Sequence, residues 1–141
     1  MSQFSRDINT IDRFLRAHRR DYMEPLGLKG IHARLFMRIC GHPGQSQEQI
    51  AKRMGFDKST IARQMELLED KGFVERRPSE TDKRALCVFP TQKMLDFQPG
   101  LKKAMDDWDE ELLQELTPEE KVQLNVIMEK IRNKIGKEGG A

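Results

Sequence analysis

Little in these 141 residues serves catalysis or membrane insertion. There are three histidines, two cysteines, one tryptophan and one tyrosine. No P-loop, G-x-S-x-G or H-E-x-x-H pattern occurs, so phosphoryl transfer, serine hydrolysis and zinc proteolysis lack their usual residues. No apolar run approaches the roughly 20 residues of a membrane-spanning helix. Residues 1 to 22 mix acids and bases throughout, unlike a secretory leader. A cytoplasmic setting with no membrane partner is the expectation. Cys40 and Cys87 lie far apart in apolar contexts, which suits two buried thiols better than a disulfide. Of the two, Cys40 is nearer the basic surroundings a reactive thiol needs, beside Arg38 and His42. Cys40-x-His42 is half of a metal site without a second half of tetrahedral spacing. Neither metal nor cofactor is expected.

What the chain has is charge, unevenly distributed. Residues 1–45 hold 8 Lys/Arg against 4 Asp/Glu, residues 46–90 hold 9 against 8, and residues 91–141 hold 8 against 11. A basic front and an acidic back would orient the protein on a polyanion, although the middle is nearly neutral.

The apolar spacing predicts helices. Phe4, Ile8, Ile11, Leu15, His18 and Tyr22 form a seam close to a heptad on a first helix that Pro25 and Gly27 end. A second helix from about Leu28 carries Ile31, Leu35, Phe36 and Ile39 and stops at Gly41-His42-Pro43-Gly44. Ser46 and Gln49 make a capping box for a short third helix ending at Gly55. Asp57 opens a fourth whose inner face is Ile61, Met65, Leu68 and Leu67, with Gly72 at its left-handed end. Two short helices joined by so tight a turn make a helix-turn-helix.

Phe73–Arg76 and Ala85–Phe89 then read as short strands joined by a charged tip at 78–83. Thr91 caps a long fifth helix, which Pro99 is expected to kink near Gln98 without splitting it. Thr117, Pro118 and Glu120 start a last helix striped by Val122 or Leu124, Ile127, Met128, Ile131 and Ile135. From Lys137 a Gly-rich tail is expected to fray. The fold class is mainly α with a small β-hairpin wing: a winged helix-turn-helix with a helical dimerisation lobe. The single 1–141 unit divides into a DNA-binding lobe at 28–92 and a helical lobe from 1–27 and 93–141.

Such a unit holds duplex DNA by placing one helix in the major groove. On the fourth helix Lys58, Ser59, Thr60, Arg63 and Gln64 are the early exposed positions. Arg63 suits a bidentate bond to guanine and Gln64 one to adenine, while Ser59 and Thr60 serve phosphates or base edges. Lys83 and Arg84 sit at the wing tip, and an arginine there suits the electronegative minor groove. Arg76 and Arg77 point to opposite faces of a strand, one free to reach phosphate and the other to pair with an acid. The DNA-contact set includes Arg77. Asp82 structures the wing, either by holding an arginine bidentately or by forming the turn.

The run Leu68-Glu69-Asp70-Lys71-Gly72-Phe73-Val74-Glu75-Arg76, followed by Asp82-Lys83-Arg84 and Thr91, resembles the signature of the multiple-antibiotic-resistance regulator (MarR) family. The likeness spans roughly residues 5 to 135 in helix order. One departure is Gln92-Lys93-Met94, where many members place a glycine soon after the threonine. The resemblance implies a homodimer whose first, fifth and sixth helices form a shared lobe, reading a pseudo-palindromic operator, most often as a repressor. It makes Arg84 the minor-groove residue. It also implies an effector, a small aromatic acid or lipophilic compound, in a crevice near Arg16, His18, Tyr22 and His32. Two rival readings accompany it. One is a winged-helix protein-interaction module without DNA binding; the other is a thiol-based redox sensor of the same fold, although this chain has no cysteine in the first helix, where some redox-sensing relatives carry one.

Overall fold

The computed structural model describes residues 1–139, with side-chain surroundings to Gly136, so part of the tail expected to fray lies outside the described residues. Helix α1, Gln3–Met23, starts where Ser2 Oγ accepts the Ser5 N–H at 3.2 Å. A single 3-10 turn, Glu24–Leu26, leads to α2, Gly30–Gly41. That is two residues later than the apolar spacing suggests. Leu28 is buried in the connection instead, and the extended Lys29 serves as the cap. With no Ser, Thr, Asp or Asn available there, the His32 ring takes the Lys29 N–H at 2.8 Å.

Helix α3, Gln47–Met54, carries the expected reciprocal box, with Gln49 N–H on Ser46 Oγ at 3.0 Å and Ser46 N–H on Gln49 Oε1 at 2.9 Å. Helix α4, Lys58–Asp70, is capped by Asp57 Oδ1 on the Thr60 N–H at 2.7 Å. Its end is a Schellman motif. Phe73 N–H reaches the Leu68 carbonyl at 2.8 Å and Gly72 N–H the Glu69 carbonyl at 2.9 Å, with Gly72 at φ +83. Phe73 therefore serves the helix end, and β1 begins one residue later than expected, as Val74–Pro78.

The partner strand β2, Leu86–Pro90, pairs antiparallel, with Arg76 opposite Val88 and Pro78 opposite Leu86. The breaker cluster after α2 does more than end a helix. Gly44 N–H and the Gln45 carbonyl bond the backbone of Val88 at 2.8 and 2.9 Å, and Ser46 bridges Cys87. At φ +87 Gly44 brings its backbone against the Phe89 ring, which lies 3.2 Å from where a Cβ would stand. The wing is thereby sewn to the α2–α3 turn.

Thr91 Oγ accepts the Met94 N–H and bonds the Gly72 and Phe73 carbonyls at 2.6 and 3.0 Å, joining the start of α5, Gln92–Leu113, to the end of α4. Helix α5 runs unbroken through Pro99. Both Pro99 and Leu95, whose carbonyl loses its amide partner, lie on the exposed side, where that carbonyl is not sealed from solvent. The Thr117–Glu120 box opens α6, Pro118–Gly139.

The core gathers around Phe36, whose ring meets Phe73 at 4.9 Å and Phe97 at 5.6 Å. Leu35, Ile39, Ile50, Ile61, Met65, Leu68, Val88, Met94 and Leu101 are buried with it. No described residue of α6 is buried. No described helix is long and apolar enough to cross a membrane.

Candidate nucleic-acid interface

The buried row of α4, Ile61, Met65 and Leu68, turns Ser59, Arg63, Glu66 and Asp70 outward. The outward face is thus cationic and hydroxylic in its first two turns and acidic in its last. Lys58, Ser59 and Arg63 are exposed and Thr60 is half-buried. Asp57 does not oppose them. Its carboxylate bonds the Thr60 amide and accepts the Ser59 hydroxyl at 2.9 Å, and these bonds hold it below the usual carboxylate range. Arg63 leans toward Thr60 Oγ at 3.5 Å.

Gln64 differs from the expectation. Its carbonyl oxygen is drawn off the outward face: Oε1 bonds Nε2 of His32, a ring with no exposure. An adenine-reading glutamine needs that oxygen at the groove, so the bidentate role assigned to Gln64 does not fit. His32 is likewise not a pocket residue. Burial pushes its pKa down, and it links α2 to α4.

The wing resolves the two arginines. Arg76 turns inward, its guanidinium 2.9 Å from Glu69 Oε1, its amide 3.1 Å from Oε2, and Nη1 reaching Gln47 at 3.3 Å. The Arg76 bonds hold Glu69 below its ordinary range. Glu69, a residue of the signature run with no task evident from sequence, fastens the wing to α4. Arg77, expected at DNA, is paired to Glu75 at 3.0 Å and lies over the Phe89 ring at 4.4 Å. Residues two apart on a strand share a face, so this pair was readable in advance. Arg77 is exposed, but its guanidinium is not free.

At the tip Asp82 accepts the Arg84 N–H at 3.0 Å, and its carbonyl takes the Ala85 N–H at 2.9 Å. Of the two uses expected of it, Asp82 takes the side-chain turn and holds no arginine side chain. Arg84 is consequently not tied down: Lys58, Lys83 and Arg84 are exposed and make no salt bridge among the described residues. Lys58 and Arg84 line one cleft of about 220 Å3 with Gln47 and Glu48, so α4 and the wing present their free cations side by side.

The four expected pocket residues are not brought together. His18 donates Nδ1–H to the Phe14 carbonyl at 2.9 Å and faces Trp108 at 5.4 Å. Tyr22 packs edge-on to Trp108 and Phe97, at 6.0 and 5.8 Å, toward α5. Arg16 is on another side of α1, paired with Asp12 at 2.7 Å. There it lines an open groove of about 1080 Å3 with Arg13, Arg19, Arg20, Lys29 and Arg34. Burial, then the nearby Arg34, lower the Arg19 pKa, a sign of cations crowded together. Burial also pushes the Cys40 thiol up, and Arg38 is engaged with Gln45 at 2.9 Å, so the basic setting expected to activate that thiol is not formed.

The MarR family model matches residues 26–85. The chain is 30% identical over 135 residues to the uncharacterized HTH-type transcriptional regulator YybA of Bacillus subtilis (strain 168), a match covering 96% of this chain and 90% of that protein. A MarR transcriptional regulator from Methanosarcina mazei Go1 has the same fold at TM-score 0.89 and 26% identity, over 95% of this chain and 96% of that one. So does a MarR family regulator from Listeria monocytogenes solved with 26mer DNA, at TM-score 0.88 and 24% identity, over 98% and 92% of the two chains. With helix-turn-helix, wing and flanking helices in this order, the protein belongs to the MarR family of transcriptional regulators.

Proposed function

We propose that this regulator binds double-stranded operator DNA as a homodimer, with 28–92 as the DNA-binding lobe and 1–27 with 93–141 as the dimerisation lobe. The carrying observation is the pair of edges on one face: the start of α4 with Lys58, Ser59, Thr60 and Arg63, and the wing tip with Lys83 and Arg84. The cations among them have no acidic partner in the described residues. The Listeria structure with 26mer DNA supports the same use of this fold. The helix start enters the major groove, and Arg84 reaches the adjacent minor groove.

Dimerisation is supported by apolar surface with nothing to cover it among the described residues. Phe4 is 55% exposed, Val122 63%, Ile127 55% and Ile135 56%. Placing two such helical faces together buries them and spaces two α4 helices for a pseudo-palindrome. We place repression, as for most sequence-specific binders that occlude a promoter, as its action. Release by a small aromatic acid fits the arginine-lined groove between α1 and α2, which suits a carboxylate better than a purely lipophilic compound.

Enrichment of bound duplexes from a random pool tests this reading. The expected product is a pair of inverted half-sites whose centres are about one helical turn, 10–10.5 base pairs, or a multiple apart. A folded protein that enriches no sequence, or only single half-sites, overturns it.

A further inference from the structure

The His32–Gln64 link determines more than packing. His32 Nδ1 accepts the Lys29 backbone N–H at 2.8 Å, so that nitrogen carries a lone pair. In a neutral imidazole the proton is then on Nε2, and Nε2–H must donate. Its partner atom on Gln64 is an acceptor, which independently fixes the amide's orientation as Oε1 inward. An oxygen bonded to a nitrogen of a wholly buried ring is held on the inner side of the helix surface. The Gln64 Nε2 makes no hydrogen bond among the described residues, and no buried side-chain nitrogen or oxygen lacks a partner. The NH2 group is therefore at the surface, beside Thr60 and one residue after Arg63.

We infer that His32 is a specificity-determining positioning residue: by holding the Gln64 carbonyl inside, it leaves α4 an NH2 donor at that position and no acceptor. The inference rests on the DNA-binding reading above. A donor alone bonds guanine O6 or N7 and thymine O4; at adenine it meets only N7, beside the competing N6 donor, whereas the bidentate adenine contact needs donor and acceptor at one edge. His32 touches no DNA; it selects bases through the side chain it holds.

Two measurements test this. In the free protein, 15N spectra of labelled histidine should show His32 as the Nε2–H tautomer, and an Nδ1–H tautomer overturns the proposal without any DNA present. In the random-pool selection, wild type should favour guanine or thymine at one base pair per half-site, a preference that Gln64→Ala removes. His32→Gln, whose amide still donates to Oε1, should keep that preference. His32→Phe, which fills the space but cannot donate, should raise adenine there about tenfold, at the lower end of what a bidentate contact discriminates. Adenine preferred by wild type, or Gln64→Ala leaving every preference unchanged, overturns it. Should His32→Phe fail to fold, the tautomer and the other two variants decide the matter. A protein that shows the tautomer but enriches no duplex loses the DNA reading, and with it the base preference, while the His32–Gln64 link stands.

Discussion

The segment 57–91 and helix α6 are both well-formed secondary structure, yet they are held in opposite ways. The first is tied within itself, Glu69 to Arg76 and Thr91 to the end of α4, and to the chain before it, Gln45 to Val88 and His32 to Gln64. The second is capped at Thr117 and then buries no described residue, leaving Val122, Val126, Ile127 and Ile135 exposed. A unit that must present side chains at fixed spacing needs internal ties. A helix whose apolar stripe has no cover among the described residues suits packing against a second surface. The contrast fits the proposed division, with presentation in the wing lobe and assembly in the outer helices.

The sharpest way to break the contrast is to charge the uncovered stripe. Val126→Asp with Ile127→Asp should abolish the dimer by light scattering while leaving the wing-lobe amides protected from hydrogen exchange; an unchanged mass would refute the assembly role of α6. Next in size is Phe36→Ala in the covered core, expected to lower unfolding free energy by about 3–5 kcal/mol in denaturant titration. Arg84→Ala touches only the presenting edge. It should weaken operator binding by about 1–3 kcal/mol with no change in melting temperature, and unchanged affinity removes its groove role.

The smallest effect is a pH slope. The His32 pKa is depressed in the folded chain, so below histidine's ordinary value of 6.5 the unfolded chain binds more protons. Stability should be full above that value and decline as pH falls through and below it. His32→Phe should flatten that part of the profile.

Much of the fold was legible because its signals are local. Ser46 with Gln49, Asp57, Thr117 with Glu120, and Gly72 each act within four residues of themselves, and each does what its residue type requires. The two misplaced element starts, at Gly30 and Val74, arise where a ring and a helix end compete for backbone groups. Within the interface, Lys58, Lys83 and Arg84 are exposed and make no salt bridge among the described residues. The near-neutral charge count of 46–90 misled because it weighs acids equally. Asp57 and Asp82 are engaged in a cap and a turn, and Glu69 and Glu75 in arginine pairs. Gln64 and His32 were misassigned because their bond joins positions 32 residues apart, a relation no periodicity encodes. The residues expected at an effector lie apart because α1 presents more than one face: Arg16 is on its groove side, and His18 and Tyr22 are toward Trp108.

The claim that the free cations of α4 and the wing hold DNA is tested most directly by the salt dependence of binding to a selected duplex. The log of affinity should fall steeply and linearly with log salt, and Lys58→Ala should make the slope shallower by about one. A flat profile in the wild type, or a slope that Lys58→Ala leaves untouched, would contradict it.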